Sequence, residues 1–400
     1  MGSLPGDNTL IGRLGAVDNL GEATPRVNKR ETILGLCITF AVLAWICVAV
    51  RLFVRVRLIR SPGWDDLFVV LSLLTMSVCL VSICVSIEHG LGQHFLQVLS
   101  DRDQAAAFLH SFYVFNAAYA MSTALIKISL LLQYMRLYRP GSLLYNICRG
   151  LVVFVALWGV AYSVIAWVPC VPTSDYWEHF DPSKDISQLR CYGYGSQYVK
   201  AFVATYESHA AVNLVLDLVV MGLPIPLYFE PGAHGRTIMG LVGIIIMGTI
   251  LNIFSVWRLA ETVHHQAGTH PTFDPTWYGA IVIVMAGLET ASACICASVP
   301  VFWGPMLASA SQLLGDIFVT KEVHVTTEHR FANLSSGESD DTFPHLGMHR
   351  GAAMGLPELL QLQGGGKDES GLRSGSRAGS TRLEWNGKDG VQHQYQAWPV

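Results

Sequence analysis

Apolar and polar positions fall along this chain in long blocks, not at the two-residue period of a strand. Seven apolar runs, at about 32–53, 67–87, 106–134, 147–169, 207–229, 237–259 and 278–303, are separated by polar segments. A helix that crosses a bilayer takes about 20 mostly apolar residues. The pattern therefore predicts an all-α membrane protein, a seven-transmembrane helix bundle. The fifth run is interrupted by Pro224 and Pro226, which a span tolerates when neighbouring helices satisfy the freed carbonyls. Gly240, Gly243 and Gly248 in the sixth run, and Ala286, Gly287, Ala291, Ser292 and Ala293 in the seventh, are of the small type that lets helices approach closely.

Seven crossings put the termini on opposite sides, and the distribution of Lys and Arg sets the direction. With the N-terminus outside, the inner loops hold Arg55, Arg57, Arg60, Arg136, Arg139 and Arg236, whereas the loop at 260–277 has no Lys or Arg. Arg26, Lys29 and Arg30 argue the other way but are outnumbered. The expected organisation is an extracellular N-terminal tail over 1–31, a transmembrane domain over 32–305, an amphipathic helix at the membrane surface over 306–320, and a disordered cytoplasmic tail over 321–400. The tail is predicted from its Gly- and Ser-rich, charge-scattered sequence. The first 31 residues lack the basic-then-apolar plan of a cleaved signal, so the first run is expected to act as a signal anchor.

Composition supports the membrane reading. Hydrophobic types make up 51% and charged types 14% of the chain, where a soluble protein carries about 25% charged residues. The net charge of −4 and the scattered basic residues exclude a nucleic-acid surface. Of nine cysteines, seven lie in or beside apolar runs. Cys170 and Cys191 bracket one polar loop and form the candidate disulfide, facing the oxidising side in this orientation.

Ionisable groups inside a membrane are costly, so each is a functional candidate. Lys127, Asp217 and Glu289 lie in the third, fifth and seventh runs, with Asn213 one turn from Asp217. A bridge from Lys127 to Asp217 or Glu289 is within reach. It fits either a packing-fixing network or a ligand and signalling site. Arg51 and Arg55 at the end of the first run face Asp65 and Asp66 at the start of the second, where caps and an interfacial ion pair are expected. Eight of the nine histidines between residues 88 and 271 fall toward the outer side: His89, His94, His110, His179, His209, His264, His265 and His270, with only His234 inner. With Glu207 and Glu261 nearby, His89, His94 and His209 are candidates for acid–base or pH-sensing roles. No spacing matches a defined metal motif, so no metal is expected. The seventh run contains no lysine to hold retinal, and the third lacks an acidic–Arg–aromatic triplet. No retinal or other cofactor is expected.

Several features recur in a characteristic order: Arg51 and Arg55; Asp65-Asp66; Gly90-Leu91-Gly92-Gln93-His94; Lys127 with Tyr134 and Arg136; Cys170, Pro172, Trp177 and Cys191; Asn213 and Asp217 ahead of Pro224 and Pro226; then Arg258, Glu289 and Pro300. In this order the chain resembles the fungal rhodopsin-like family of seven-helix membrane proteins over about residues 32–305. That family includes the satratoxin-cluster membrane protein and receptor-like surface sensors of plant-pathogenic fungi. Some members carry a cysteine-rich domain before the first span; this chain has no cysteine before Cys37. The resemblance implies a receptor-like sensing or signalling protein without retinal. Its alternative implication is an accessory membrane protein or membrane-embedded enzyme of cyclase or isomerase type in a fungal secondary-metabolite pathway. The expected partners are the lipid bilayer, a small-molecule ligand or substrate and a cytoplasmic signalling partner. The expected location is the plasma membrane or an endomembrane.

Overall fold

In a computed structural model of the chain, residues 8–178, 189–228 and 235–313 are described. His179, His234 and everything beyond Leu313 lie outside the described residues, including the tail over 321–400.

Seven long helices answer the seven runs: α1 Arg30–Phe53, α2 Trp64–Glu88, α3 Arg102–Leu137, α4 Leu143–Trp167, α5 Val199–Gly222, α6 Gly235–His264 and α7 Ala280–Leu313. Among the described residues, five of them (α1 to α4 and α7) are long and apolar enough to cross a bilayer. Their starts follow local chemistry. Asp101 caps α3 by accepting from the backbone N–H groups of Asp103 and Gln104, and Ser142 caps α4 by accepting from Tyr145. At the head of α2, Asp66 accepts from the Gly63 N–H at 3.0 Å. A short π-helical turn, Val54–Leu58, follows α1.

Two boundaries differ from expectation. α5 begins at Val199, eight positions before the predicted 207, because Lys200, Tyr206, Glu207, Ser208 and His209 lower the hydropathy of its first turns. It ends at Gly222, before Pro224, whose missing N–H cannot extend the ladder. α7 continues through Pro305 to Leu313, so the stretch expected as a separate surface helix from 306 extends the last helix as far as it is described.

The helices alternate in direction. One end of the bundle, the N-terminal face, joins Arg30 to Glu88 at 2.5 Å, Tyr113 to the Trp167 carbonyl at 2.7 Å and Asn28 to the Trp277 carbonyl at 3.1 Å. The opposite end joins Arg51, Asp65, Gln133 and the Ala297 carbonyl. α3 and α7 are the most buried spans, and α1 and α4 the most outward. Ile38, Val42, Ile46, Phe154, Leu157 and Val160 are exposed. An apolar exterior around a bundle with a polar interior is what lipid requires. Small residues permit the closest approaches: a Cβ on Gly159 would lie 2.3 Å from the Ala124 Cβ, and one on Gly287 2.7 Å from Ile83.

From residue 8 on, the segment expected as an extracellular tail is tied across the N-terminal face. The Leu10 N–H donates to the Gln197 carbonyl and the Val199 N–H to the Asn8 carbonyl. The Arg13 guanidinium reaches Gln266 at 3.0 Å and the Thr269 carbonyl at 3.2 Å. Asp274 anchors the whole cap, accepting from Phe95 N–H at 2.8 Å, Asn19 at 3.0 Å and Trp277 N–H at 3.2 Å, with His94 Nδ1 at 2.9 Å. Beneath it, Gly92 at φ +93° is fixed as glycine, since a Cβ would lie 2.4 Å from the Asn28 carbonyl oxygen. The Cys170–Cys191 disulfide closes the loop between α4 and α5 on this same face.

Candidate functional site

A charged centre sits inside the bundle between α3, α5, α6 and α7. Lys127 of α3 meets Asp217 Oδ1 at 2.7 Å and donates to Asn213 Oδ1 at 2.7 Å. Asn213 passes the network on, its Nδ2 reaching Asp217 Oδ2 at 3.1 Å and Glu289 Oε1 at 2.6 Å. Glu289 of α7 pairs with Arg258 Nε of α6 at 2.7 Å and accepts from Ser255 and, at 3.3 Å, from Tyr119. The Arg258 guanidinium also lies over the Tyr119 ring, 5.4 Å from its centroid. Two cations and two carboxylates balance, the arrangement under which buried charges are tolerated.

The four residues expected as a polar core, Lys127, Asn213, Asp217 and Glu289, are thus brought together. Lys127 bridges to Asp217, not to Glu289. The sequence reading missed Arg258, Ser255 and Tyr119 as members of the centre. Arg258 lies near the end of the sixth apolar run, where it reads as a boundary residue. α6 runs on to His264, which places Arg258 well inside the helix, 4% exposed.

Two cavities lie on the N-terminal side of this centre. The first is lined by Leu10, Phe95, Phe108, Phe112, Phe202 and Phe273 among others. The second is lined by Phe112, Phe115, Asn116, Tyr119, His209 and Arg258 among others. Phe112 and Tyr194 line both. Along α3 the rings of Phe108, Phe112, Phe115 and Tyr119 stack in sequence, with centroids 5.7, 5.9 and 6.0 Å apart.

Among the described residues, the histidines do not form one outer acid–base surface. His209 is buried inside the bundle, stacked on Trp158 at 4.9 Å, because α5 starts early and carries it inward. His94 is buried and held between Asp274 and the Trp277 ring, 3.9 Å away. His89 and Glu207 are half-buried in different elements. Only Glu261 meets other candidates, converging with His264 and His265 at the end of α6, while also accepting from Trp257.

At the opposite end Arg51, fully buried, holds Asp65 at 2.6 Å, Asp66 at 3.0 Å, Gln133 at 2.8 Å and the Ala297 carbonyl at 2.6 Å. Arg55 approaches Asp65 at 3.4 Å. Arg136 Nε sits 3.0 Å from Asp65 Oδ1, an ion pair that lacks hydrogen-bond alignment.

With seven helices, this charge centre and this paired end in place, a family model described as fungal rhodopsin domain matches residues 50–308. The chain belongs to the fungal rhodopsin domain family. The match takes in the paired arginines and the whole polar centre, and leaves outside it most of α1 and the segment before it. A search of the curated proteins finds no match. As a member of the family, the chain is a rhodopsin-like membrane protein.

The cap carries a pH-dependent element of its own. Burial and the adjacent His264 hold the His265 imidazole below the usual histidine range, against smaller opposing effects of Glu261 and the His270 backbone. His265 stacks on Tyr278, with ring centroids 5.0 Å apart. The unfolded chain then binds this proton at higher pH than the folded one. The stabilisation is present above the ordinary histidine pKa of about 6.5 and is lost as pH falls below it, toward the lowered folded value. Protection factors for amide exchange at 265–279, taken relative to the intrinsic rate at each pH, are expected to fall between pH 7 and 5, and His265→Gln to flatten that dependence. An unchanged pH profile in the variant would show that another group controls the cap.

Proposed function

We propose that this protein is a receptor-like sensor that works without retinal, taking a small molecule from the N-terminal side and transmitting its presence to a cytoplasmic partner. One observation carries the reading. Tyr119 and Arg258 form the floor of a cavity and also belong to the ion network that joins four helices. A ligand that changes the partners of either residue biases the packing of those helices, provided that it binds two arrangements unequally. Lys127, the only lysine inside an apolar run, is held by Asp217 and Asn213. A second reading, a cyclase or isomerase of a secondary-metabolite pathway, is favoured by His209, whose Nε2 is unpartnered beside the same cavity.

Cells lacking the gene, complemented with wild type or with Tyr119→Phe at matched membrane amount, separate the two. A sensor gives deletion and Tyr119→Phe strains the same altered transcript pattern, while purified protein in lipid converts nothing in an extract of the cells' metabolites. Identical transcripts in deletion and wild type would sink the sensing reading. So would turnover of an extract component that disappears in His209→Phe, which would establish the enzyme instead.

A further inference from the structure

Three buried side-chain nitrogens around the second cavity have no hydrogen-bond partner among the described residues: Asn116 Nδ2, His209 Nε2 and Arg258 Nη2. Their residues are 4%, 2% and 4% exposed, so bulk solvent does not serve them. Leaving a buried donor unpaired costs about 1–3 kcal/mol. Three such atoms bordering one cavity call for a partner that enters it, and the certain donors among them, on Asn116 and Arg258, require acceptor atoms.

The charge of that partner follows from the neighbours. Arg258 is already paired with Glu289, and Lys127 with Asp217, both at 2.7 Å. A carboxylate ligand would bring an uncompensated negative charge into a balanced centre. An amine would set a cation against Arg258 and offer donors to donors. The shape follows from α3. From Phe108 to Tyr119 the ring ladder spans about 16 Å at 1.5 Å per residue. Its N-terminal part lines the apolar cavity, and its far end reaches Glu289. An extended chain gains about 1.2 Å per bond, so roughly a dozen carbons lie along it.

We infer that the two cavities together hold one uncharged, elongated lipophile ending in a hydrogen-bond acceptor, such as a ketone, ester or epoxide, its apolar body along the Phe108–Phe115 rings and its acceptor at Asn116 and Arg258. This rests on the reading of the cavity as the sensing site and assigns the class of molecule sensed.

The full-length protein in lipid nanodiscs tests it with a twelve-carbon methyl ketone carrying a mid-chain diazirine. Photolabelling is expected on peptides of α3 between Phe108 and Tyr119. Unlabelled dodecan-2-one should compete at least ten-fold better than dodecanoate, dodecylamine or dodecane. Asn116→Leu should erase that preference, and Phe112→Trp, which adds bulk at a residue lining both cavities, should abolish labelling. Equal competition by all four compounds, tighter competition by dodecanoate or dodecylamine, or undiminished labelling in Phe112→Trp would overturn the assignment. Spin-label distances between the opposite-face ends of α3 and α7 are read in the same samples. Ketone binding with no distance change leaves the ligand class standing and removes the sensing reading. Distance changes driven by a metabolite extract, with no ketone preference, do the reverse.

Discussion

Arg51→Met is expected to lower stability by about 3–5 kcal/mol, the cost of removing one partner from a buried ion pair. The Arg51 side chain is fully buried, and one guanidinium ties three other helices to α1: α2 through Asp65 and Asp66, α3 through Gln133, and α7 through the Ala297 carbonyl. Methionine fills much of the volume but leaves Asp65 to Arg136 and the more distant Arg55, and Asp66 to Arg55 at 3.8 Å. Arg51→Lys should rescue little, because an ammonium cannot present a fork to two carboxylates and reach a carbonyl on a third helix. Arg55→Met, which removes a more exposed and more distant pair, is expected to cost about 1 kcal/mol. The comparison is made by thermal unfolding in lipid nanodiscs. Equal losses in Arg51→Met and Arg55→Met would show that the buried fork contributes nothing beyond its charge.

The sequence made Arg51 and its two aspartates legible as a pair, since acidic residues at one helix start face basic residues at the end of the previous helix. Their complete burial was not legible, because it depends on α3 and α7 closing over them. The same distinction runs through the site. Lys127, Asp217 and Glu289 stand out because each interrupts an apolar run. Arg258 and His209 do not, because each lies where hydropathy is already falling toward a run's edge. Helix ends are set by caps and hydrogen bonds, not by hydropathy. α6 outlasts its apolar run to His264, and α5 precedes its run by two turns. Polar residues that look like loop chemistry were in this way carried into the interior. Asp274 escaped notice for a different reason: its partners, Asn19, His94 and Phe95, are far from it in sequence, and only the fold brings them together.

Glu289→Gln should be the most damaging conservative change in the centre. The carboxylate accepts from four groups on three helices: Tyr119 on α3, Asn213 on α5, and Ser255 and Arg258 on α6. Glutamine keeps one acceptor oxygen and turns an amide donor toward donors. It also leaves the Arg258 charge unmatched inside the bundle, so the expected loss is again about 3–5 kcal/mol. Tyr119→Phe removes one neutral donor and keeps the charge balance, for about 1 kcal/mol. This is why Tyr119→Phe serves as the functional probe. The decisive measurement is a double-mutant cycle. If the pair acts as a unit, Glu289→Gln combined with Arg258→Met is less destabilising than the sum of the single changes by 2 kcal/mol or more, near the upper end of the range of about 0.5–3 kcal/mol seen for residues in one network. Additive losses would mean that Arg258 is satisfied without Glu289, and the charge balance on which the uncharged ligand was inferred would fall with it.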